Sequence, residues 1–260
     1  MLTILIGRAK TGKSDTMLRR MAELGESSQQ ILLVPEHASH QAEVDVCSAC
    51  GDTASRHAEV LSFRRLGERV LSITGGIADV TLDNGGKLLT LQRALLETAP
   101  QMTVYRKPSQ KVGFLEQMLA LFDELRSYEV TPEILYQQAQ DIDGATHDKL
   151  TDLSLLYAAY EARLRRPGLD ARDRMTKLCD LLEEAGYVRD KDFFIDGFTY
   201  FNAQERRALA VFLRQARSVT VTLLGEENSR EEIFAATMRT LEQLRRLAER
   251  ERIPVKITSF

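Results

Sequence analysis

The sequence has no apolar stretch that could cross a membrane, because none approaches the roughly 20 consecutive apolar residues that a spanning helix needs. The apolar run at residues 2–6 is short and no basic segment precedes it, so it does not have the form of a signal peptide. Cysteine is also scarce: the chain has 3, an odd number, which argues against a disulfide framework and for a reducing compartment. We therefore expect a cytoplasmic protein without a membrane segment.

Neither sign of charge dominates, since 35 Lys and Arg residues face 38 Asp and Glu residues and the net charge is −3. A near-neutral chain is not an obvious nucleic-acid binder, although a local basic stripe could still bind nucleic acid. Internal repeats and low-complexity tracts are absent from the sequence as well. With 260 residues, 43% of them hydrophobic, the chain can bury one large core or two small ones.

Short apolar runs alternate with helical patterns in the two ends of the chain. The runs predict strands at residues 2–6, 31–34, 58–61, 193–195, 219–224 and 255–257. Amphipathic patterns predict helices at residues 15–24, 38–49, 63–71, 203–215 and 231–252. Strands that alternate with helices in this way indicate an α/β fold with a parallel sheet.

The middle of the chain has helical patterns and hardly any strand pattern, which predicts a helical subdomain inserted in the sheet domain. We expect residues 1–80 to form the first part of the sheet domain, residues 81–186 the inserted helical subdomain, and residues 187–260 the second part of the sheet domain. The last predicted strand lies close to Phe260, so we expect the chain to be cut from a longer protein.

The segment after the first predicted strand fits the phosphate-binding pattern G-x-x-x-x-G-K-[ST] in full. Glycines let the backbone curl so that N–H groups point at phosphate oxygens, and the following helix directs its positive dipole end at the same anion. In that pattern the lysine reaches the β- and γ-phosphates, and the serine hydroxyl holds Mg²⁺. The predicted ATP-binding residues are Gly7, Arg8, Ala9, Lys10, Thr11, Gly12, Lys13 and Ser14.

A P-loop ATPase also needs an acidic residue at the end of a neighbouring strand, on the Mg²⁺ side of the site. The candidate is Asp196, which follows the apolar strand 193–195; a simple strand-to-turn aspartate is the alternative. Helicases place a glutamate directly after this residue to activate water, whereas Gly197 stands here, and Glu205 falls on the next predicted helix. We therefore expect ATP binding with slow hydrolysis or none, and we assign no catalytic residue.

The sequence resembles the N-terminal region of the AddB family. The resemblance covers nearly all of the chain, and its strongest parts are residues 7–14, 34–36, 61–66 and 195–198. AddB proteins are subunits of the bacterial AddAB (RexAB-type) helicase–nuclease that processes double-strand DNA breaks. The resemblance implies a RecA-like core of the superfamily 1 helicase type with a helical insertion, which agrees with the segment pattern above.

The resemblance also implies site residues, partners and cofactors. Ser62, Phe63 and Arg64 correspond to a motif that faces single-stranded DNA, in which Phe63 would stack on a base and Arg64 would contact a phosphate. The alternative is that Phe63 is a core residue and Arg64 a solvated one. The family implies an AddA-type partner subunit that translocates, duplex ends and single strands of DNA as substrates, and a nuclease domain with an iron–sulfur cluster outside this chain.

This chain departs from the family pattern in ways that point to a degenerate motor. The segment after Glu36 differs from the family's usual PEQ stretch, and residues 224–228 lack the Gly-Asp and Gln of the next helicase motif. Two other functions therefore stay open: a catalytically inactive DNA-binding scaffold with a relic P-loop, and a small-molecule or nucleoside kinase. A zinc site built from His40, Cys47, Cys50 and His57 is a further alternative, although its spacing matches no standard zinc finger.

Overall fold

A computed structural model describes residues 1–75, 82–106, 112–165, 174–227 and 231–260 of the chain. The chain divides into two compact units. Residues 1–75 and 174–260 form the first unit, which we call the sheet unit. Residues 76–173 form the second, which we call the helical unit.

The sheet unit contains one sheet of six strands, and every neighbouring pair is parallel. The strands are β1 (Leu2–Gly7), β2 (Gln29–Leu33), β3 (Ala58–Leu61), β4 (Lys191–Ile195), β5 (Ser218–Leu224) and β6 (Val255–Ser259). Their order across the sheet is β3-β2-β4-β5-β1-β6. The predicted α/β fold with a parallel sheet is confirmed.

Strand β1 is buried on both of its faces, which explains why it is a continuous apolar run rather than an alternating one, whereas the edge strand β6 is largely exposed. On β1, Leu2, Ile4 and Ile6 pack into one hydrophobic cluster, and Leu5 packs into a second cluster. On β4, Phe193 packs into the first of these clusters and Phe194 into the second. On β1 and β4, consecutive apolar residues therefore fill the hydrophobic clusters on both faces of the sheet.

Helices cover the two faces. In chain order the helices are α1 (Lys13–Leu24), α2 (Ser39–Cys50), α3 (Ala54–His57), α4 (Phe63–Thr74), α5 (Asn84–Thr98), α6 (Val112–Ser127), α7 (Pro132–Gln140), α8 (Ala145–Leu164), α9 (Arg174–Leu181), α10 (Ala203–Gln215) and α11 (Ala235–Arg250). Within the described ranges, no helix combines the length and apolar character that crossing a bilayer requires.

The first and second helices pack on one face of the sheet, through Met17 and Met21 of α1 and Val46 of α2. Helices α4, α9, α10 and α11 contribute to the cluster on the other face. The predicted helix at residues 231–252 is shorter in the structure: a 3-10 turn at Glu232–Phe234 precedes α11, and Arg252 has a positive φ of 57°.

The helical unit contains α5 to α8 and has its own hydrophobic cluster. At its centre Phe122 stacks on Tyr157, with ring centroids 4.7 Å apart. The buried carboxylate of Asp152 accepts backbone N–H bonds from residues 103, 104 and 105, at 3.0, 2.7 and 2.9 Å. This unit therefore carries both an apolar core and a buried polar anchor.

The unit boundaries differ from those predicted at residues 80/81 and 186/187. The structure divides the chain at 75/76 and 173/174. On the C-terminal side, Leu178 and Leu182 are buried in the same cluster as Phe193 of β4. A helical pattern shows which residues of a helix are apolar but not which core they enter, so it could not assign α9 to the sheet unit.

Candidate functional site

The carboxyl ends of parallel strands meet at one edge of a sheet, where ligands of open α/β folds bind. Gly7 closes β1 at this edge, Asp196 follows β4, and Gly225 follows β5. The strand connections also diverge here, because β2 leads outward to β3 while β4 leads the other way to β5. The sequence-predicted ATP-binding and Mg²⁺-side residues therefore share one edge of the sheet.

The loop of residues 7–14, here the 7–14 loop, joins β1 to α1 and depends on two glycines. Gly12 has φ of 88°, a left-handed conformation that other residues adopt only with strain. A Cβ on Gly7 would lie 2.6 Å from Thr11 Oγ1 and 2.8 Å from Phe260 Cβ, so only glycine fits without displacing its neighbours. The glycines of the sequence motif are thus required by the backbone path.

Lys13 is the first residue of α1, and its side chain is buried in the loop. Its Nζ donates a hydrogen bond of 2.7 Å to the carbonyl oxygen of Arg8, which also accepts one of 2.9 Å from Thr11 Oγ1. Burial lowers the pKa of Lys13, and the negative charge of Asp196 acts in the opposite direction. The ammonium group is therefore held inside the loop, within the field of Asp196. Ser14, the next residue, is half-buried.

Asp196 is half-buried at the end of β4. Its Oδ1 accepts a hydrogen bond of 2.9 Å from the backbone N–H of Gly197 and another from the hydroxyl of Thr222 on β5. Gly197 has φ of 80°, and a Cβ there would lie 3.3 Å from Pro35 Cδ. The carboxylate is thus oriented from two sides.

Glu205 is the glutamate closest in sequence to Asp196, and it belongs to the start of α10. It forms a capping box with Asn202, in which Glu205 Oε2 accepts from the Asn202 N–H at 2.8 Å and Asn202 Oδ1 accepts from the Glu205 N–H at 2.9 Å. Burial raises the pKa of Glu205. The Glu205 carboxylate therefore stabilises the N-terminal end of α10, the role of the third helical residue in a capping box.

Arg8 has partners that sequence reasoning missed. Its guanidinium binds Glu226, with Nη2 2.8 Å from Oε2, and Glu231, with Nη2 2.7 Å from Oε1. The same group lies 5.5 Å from the ring centroid of Phe234. These partners follow Arg8 by more than 200 residues, so no local pattern in the sequence connects them.

Ser62, Phe63 and Arg64 lie at the start of α4. Ser62 caps this helix by accepting from the Arg65 N–H at 3.2 Å, and its hydroxyl donates to Glu36. Phe63 is buried in an edge-to-face contact with Phe198, with centroids 5.7 Å apart. This position matches the core alternative for Phe63, and its contact with DNA stays a prediction.

Arg64 has an exposed side chain that is paired with carboxylates. Its Nη2 lies 2.6 Å from Glu36 Oε1, and its Nη1 lies 3.2 Å from Glu68 Oε1. Hydrogen bonds from Arg64 and Ser62 lower the pKa of Glu36. A nucleic-acid phosphate at Arg64 would therefore compete with Glu36.

The residues of the zinc alternative are not arranged as a ligand set. His40 and Cys47 are exposed, whereas the ring of His57 is buried and neither of its nitrogens has a hydrogen-bond partner. In the part of the chain that the structure describes, no three His, Cys, Asp or Glu side chains come together as possible metal ligands.

Comparison with known proteins gives one consistent result. The family profile described as "ADDB, N-terminal" matches residues 4–260. Proteins named as the B subunit of an ATP-dependent helicase/deoxyribonuclease are similar to this chain: that of Moorella thermoacetica is 33% identical over 95% of the chain, and that of Bacillus mycoides is 30% identical over 99%. The protein of this name from Clostridioides difficile is 29% identical over 98% of the chain. The chain spans 23% to 24% of the length of these relatives.

Proposed function

The chain belongs to the AddB N-terminal family, and from this membership we propose that it is the ATP-binding, helicase-like part of the B subunit of an ATP-dependent helicase/deoxyribonuclease. In this proposal the sheet unit is a RecA-like P-loop domain of the superfamily 1 type, and the helical unit is its insertion. The observation that carries the proposal is the 7–14 loop, with its buried lysine at the carboxyl edge of a parallel sheet.

The loop has the features that a triphosphate requires. Its path depends on glycine at residues 7 and 12, and a glycine-dependent loop of this kind can direct its backbone N–H groups at phosphate oxygens. Helix α1 is 12 residues long and begins at Lys13, so its positive dipole end faces the same place. The Lys13 ammonium supplies a full charge there.

The residues for Mg²⁺ are hard oxygen donors, as this ion prefers. The hydroxyl of Ser14 and the carboxylate of Asp196 would hold it, with Asp196 oriented by Thr222 and by the Gly197 N–H. Bound Mg²⁺ would offset the charge of the phosphates.

We propose that this subunit binds ATP and hydrolyses it slowly or not at all. Gly197 occupies the position after Asp196, and Glu205 is engaged in the start of α10. The loss of a general base typically costs two to four orders of magnitude in rate. Accordingly, we propose that an AddA-type partner in the cytoplasm drives translocation along DNA, and that the assembly processes double-strand breaks for recombinational repair.

A thermal-melting titration with Mg·ATP tests the nucleotide proposal. At a ligand concentration a hundred times the Kd, binding stabilises a protein by about 2.7 kcal/mol. We expect the wild-type protein to show this stabilisation and the Lys13→Ala variant to lose it, because the variant lacks the buried ammonium.

The matched control is Lys10→Asn, which removes the other, exposed ammonium of the loop and keeps the backbone through which residue 10 would contact phosphate. Residue 10 has φ of 61°, a conformation that asparagine tolerates. This variant should keep most of the stabilisation. If both variants lost the same amount of stabilisation by Mg·ATP, Lys13 would contribute only a positive charge near the ligand and no specific contact. A wild-type protein that Mg·ATP does not stabilise would favour the inactive DNA-binding scaffold with a relic P-loop.

A further inference from the structure

We propose that Arg8 is a second cation of the phosphate site and that Glu226 and Glu231 hold it back, so that this pair of carboxylates lowers the affinity for triphosphate. We call Arg8, Glu226, Glu231 and Phe234 the arginine clamp. The inference rests on the proposed function, since it concerns the same loop and the same ligand.

The clamp joins the 7–14 loop to the chain that follows β5. Arg8 Nε and Nη2 lie 3.2 and 2.8 Å from Glu226 Oε2, and Nη2 also lies 2.7 Å from Glu231 Oε1. The guanidinium lies over the ring of Phe234, 5.5 Å from its centroid. Hydrogen bonds to both carboxylates and their charges raise the pKa of Arg8 further, so the group stays cationic.

Residue 8 also connects the two cations of the loop. The carbonyl oxygen of Arg8 accepts the hydrogen bond of Lys13 Nζ, while its side chain is bound by the clamp. Arg8 belongs to the loop itself, so its guanidinium needs only side-chain rotation to turn toward a bound phosphate.

A phosphate and the two carboxylates compete for the same donors. Guanidinium binds carboxylate and phosphate through the same planar pairs of N–H groups, so one set of donors cannot serve both fully. Glu226 and Glu231 also place two negative charges beside a loop that is built for an anion. The competition for the Arg8 donors and the repulsion by the two carboxylates both lower the affinity for triphosphate until Arg8 leaves Glu226 and Glu231.

The clamp is weak enough for a ligand to open. The side chains of Arg8, Glu226 and Glu231 are 55%, 57% and 54% exposed, so water screens their attraction. An exposed ion pair shifts an equilibrium by about fivefold at most. The clamp therefore tunes affinity and does not abolish binding.

The test measures binding of Mg·ATP and of inorganic tripolyphosphate to the full-length protein by calorimetry. Tripolyphosphate lacks base and sugar, so an effect common to both ligands belongs to the phosphates. We expect Glu226→Gln to lower the Kd of both ligands about two- to fivefold. In an Arg8→Ala background the same substitution should give a gain below about 1.5-fold, because only the repulsion between the carboxylate and the phosphates is then relieved.

The matched control is Glu227→Gln, which removes the same charge one residue away. Glu227 binds Arg245 at 3.0 Å and Ser259 at 2.8 Å, and not Arg8. Affinity in this variant should stay within about 1.5-fold of wild type, because Glu227 is engaged by Arg245 and Ser259 and takes no donor from Arg8. Equal effects of the two substitutions, an undiminished gain from Glu226→Gln in the Arg8→Ala background, or weaker binding in Glu226→Gln would each overturn the clamp. Failure of the wild-type protein to bind either ligand would instead overturn the proposed function, and the clamp with it.

Discussion

At the scale of single residues, the candidate site depends on two charged side chains that neighbouring groups hold in place. Lys13 is a buried lysine, and Asp196 accepts hydrogen bonds from two neighbouring segments. The position of Gly12 and Lys13 in a loop between a strand and a helix could be predicted from sequence, because the motif lies within eight consecutive residues. Glu226 and Glu231 could not be predicted, because only the fold brings them to Arg8.

Asp196→Asn distinguishes a Mg²⁺-side carboxylate from a strand-to-turn aspartate. The substitution keeps the shape and an acceptor oxygen but removes the charge. We expect ATP affinity in excess Mg²⁺ to fall about 10- to 100-fold, the range for loss of a group that supports a metal. Affinity measured in EDTA should change little.

Asp190→Asn is the control for this measurement. Asp190 is exposed and precedes the opposite end of the same strand, and its φ of 61° suits asparagine. It should leave both affinities unchanged. If Asp196→Asn weakened ATP equally with and without Mg²⁺, the carboxylate would have only a structural role.

At the scale of elements, apolar runs located every strand but missed where several begin. Strand β2 begins at Gln29, and buried Gln30 donates to the carbonyl oxygens of Met21 and Gly25, at 3.1 and 3.0 Å. Strand β4 includes buried Asp192, which accepts from Ser28 and from Ser218. These polar residues can enter strands because groups of other elements bond the Gln30 amide N–H groups and the Asp192 carboxylate, which an apolar pattern does not show. By contrast, α10 could be predicted with both ends correct, since its amphipathic pattern is local, as is the capping box that fixes its start.

The capping box of α10 gives a pH-dependent prediction. Burial raises the pKa of folded Glu205, so its ionisation near neutral pH opposes folding. The neutral carboxyl group stabilises the fold fully below the unfolded pKa of about 4.5. This stabilisation is lost as the pH rises through the higher pKa of the folded state. Glutamine keeps the acceptor for the Asn202 N–H without ionising. Glu205→Gln should therefore raise the free energy of unfolding at pH 7, with a gain that shrinks as the pH approaches 4.5.

Urea denaturation at several pH values measures this difference. Glu205→Ala, which removes the acceptor as well, should cost about 0.5–2 kcal/mol at pH 7. Glu249→Gln, at an exposed position of α11, is the charge control and should change little. A Glu205→Gln variant less stable than wild type at pH 7 would show that the ionised carboxylate is the better partner.

At the scale of the whole molecule, the chain has two units with separate hydrophobic clusters. The cluster of the helical unit includes Phe122, Tyr157 and Tyr160, whereas both clusters on the sheet belong to the other unit. A second unit between the two parts of the sheet unit could be predicted, because strand patterns stop and later resume. Its C-terminal boundary could not, because the core that α9 enters depends on tertiary packing.

Separate cores predict that the two units can be destabilised independently. Asp152→Ala removes the buried acceptor of three backbone N–H groups inside the helical unit, on a partly buried segment. Hydrogen bonds to a charged group are worth about 1.5–3 kcal/mol each but are not additive, so we expect a loss of about 2–4 kcal/mol in this unit. Calorimetry should show one transition moved to lower temperature, while the transition of the sheet unit, which Mg·ATP raises, stays in place. Glu116→Ala, at an exposed position of α6, is the control and should move neither. A single transition that Asp152→Ala lowers and Mg·ATP raises as a whole would mean that the two cores unfold together, and that an insertion variant could alter nucleotide binding through stability alone.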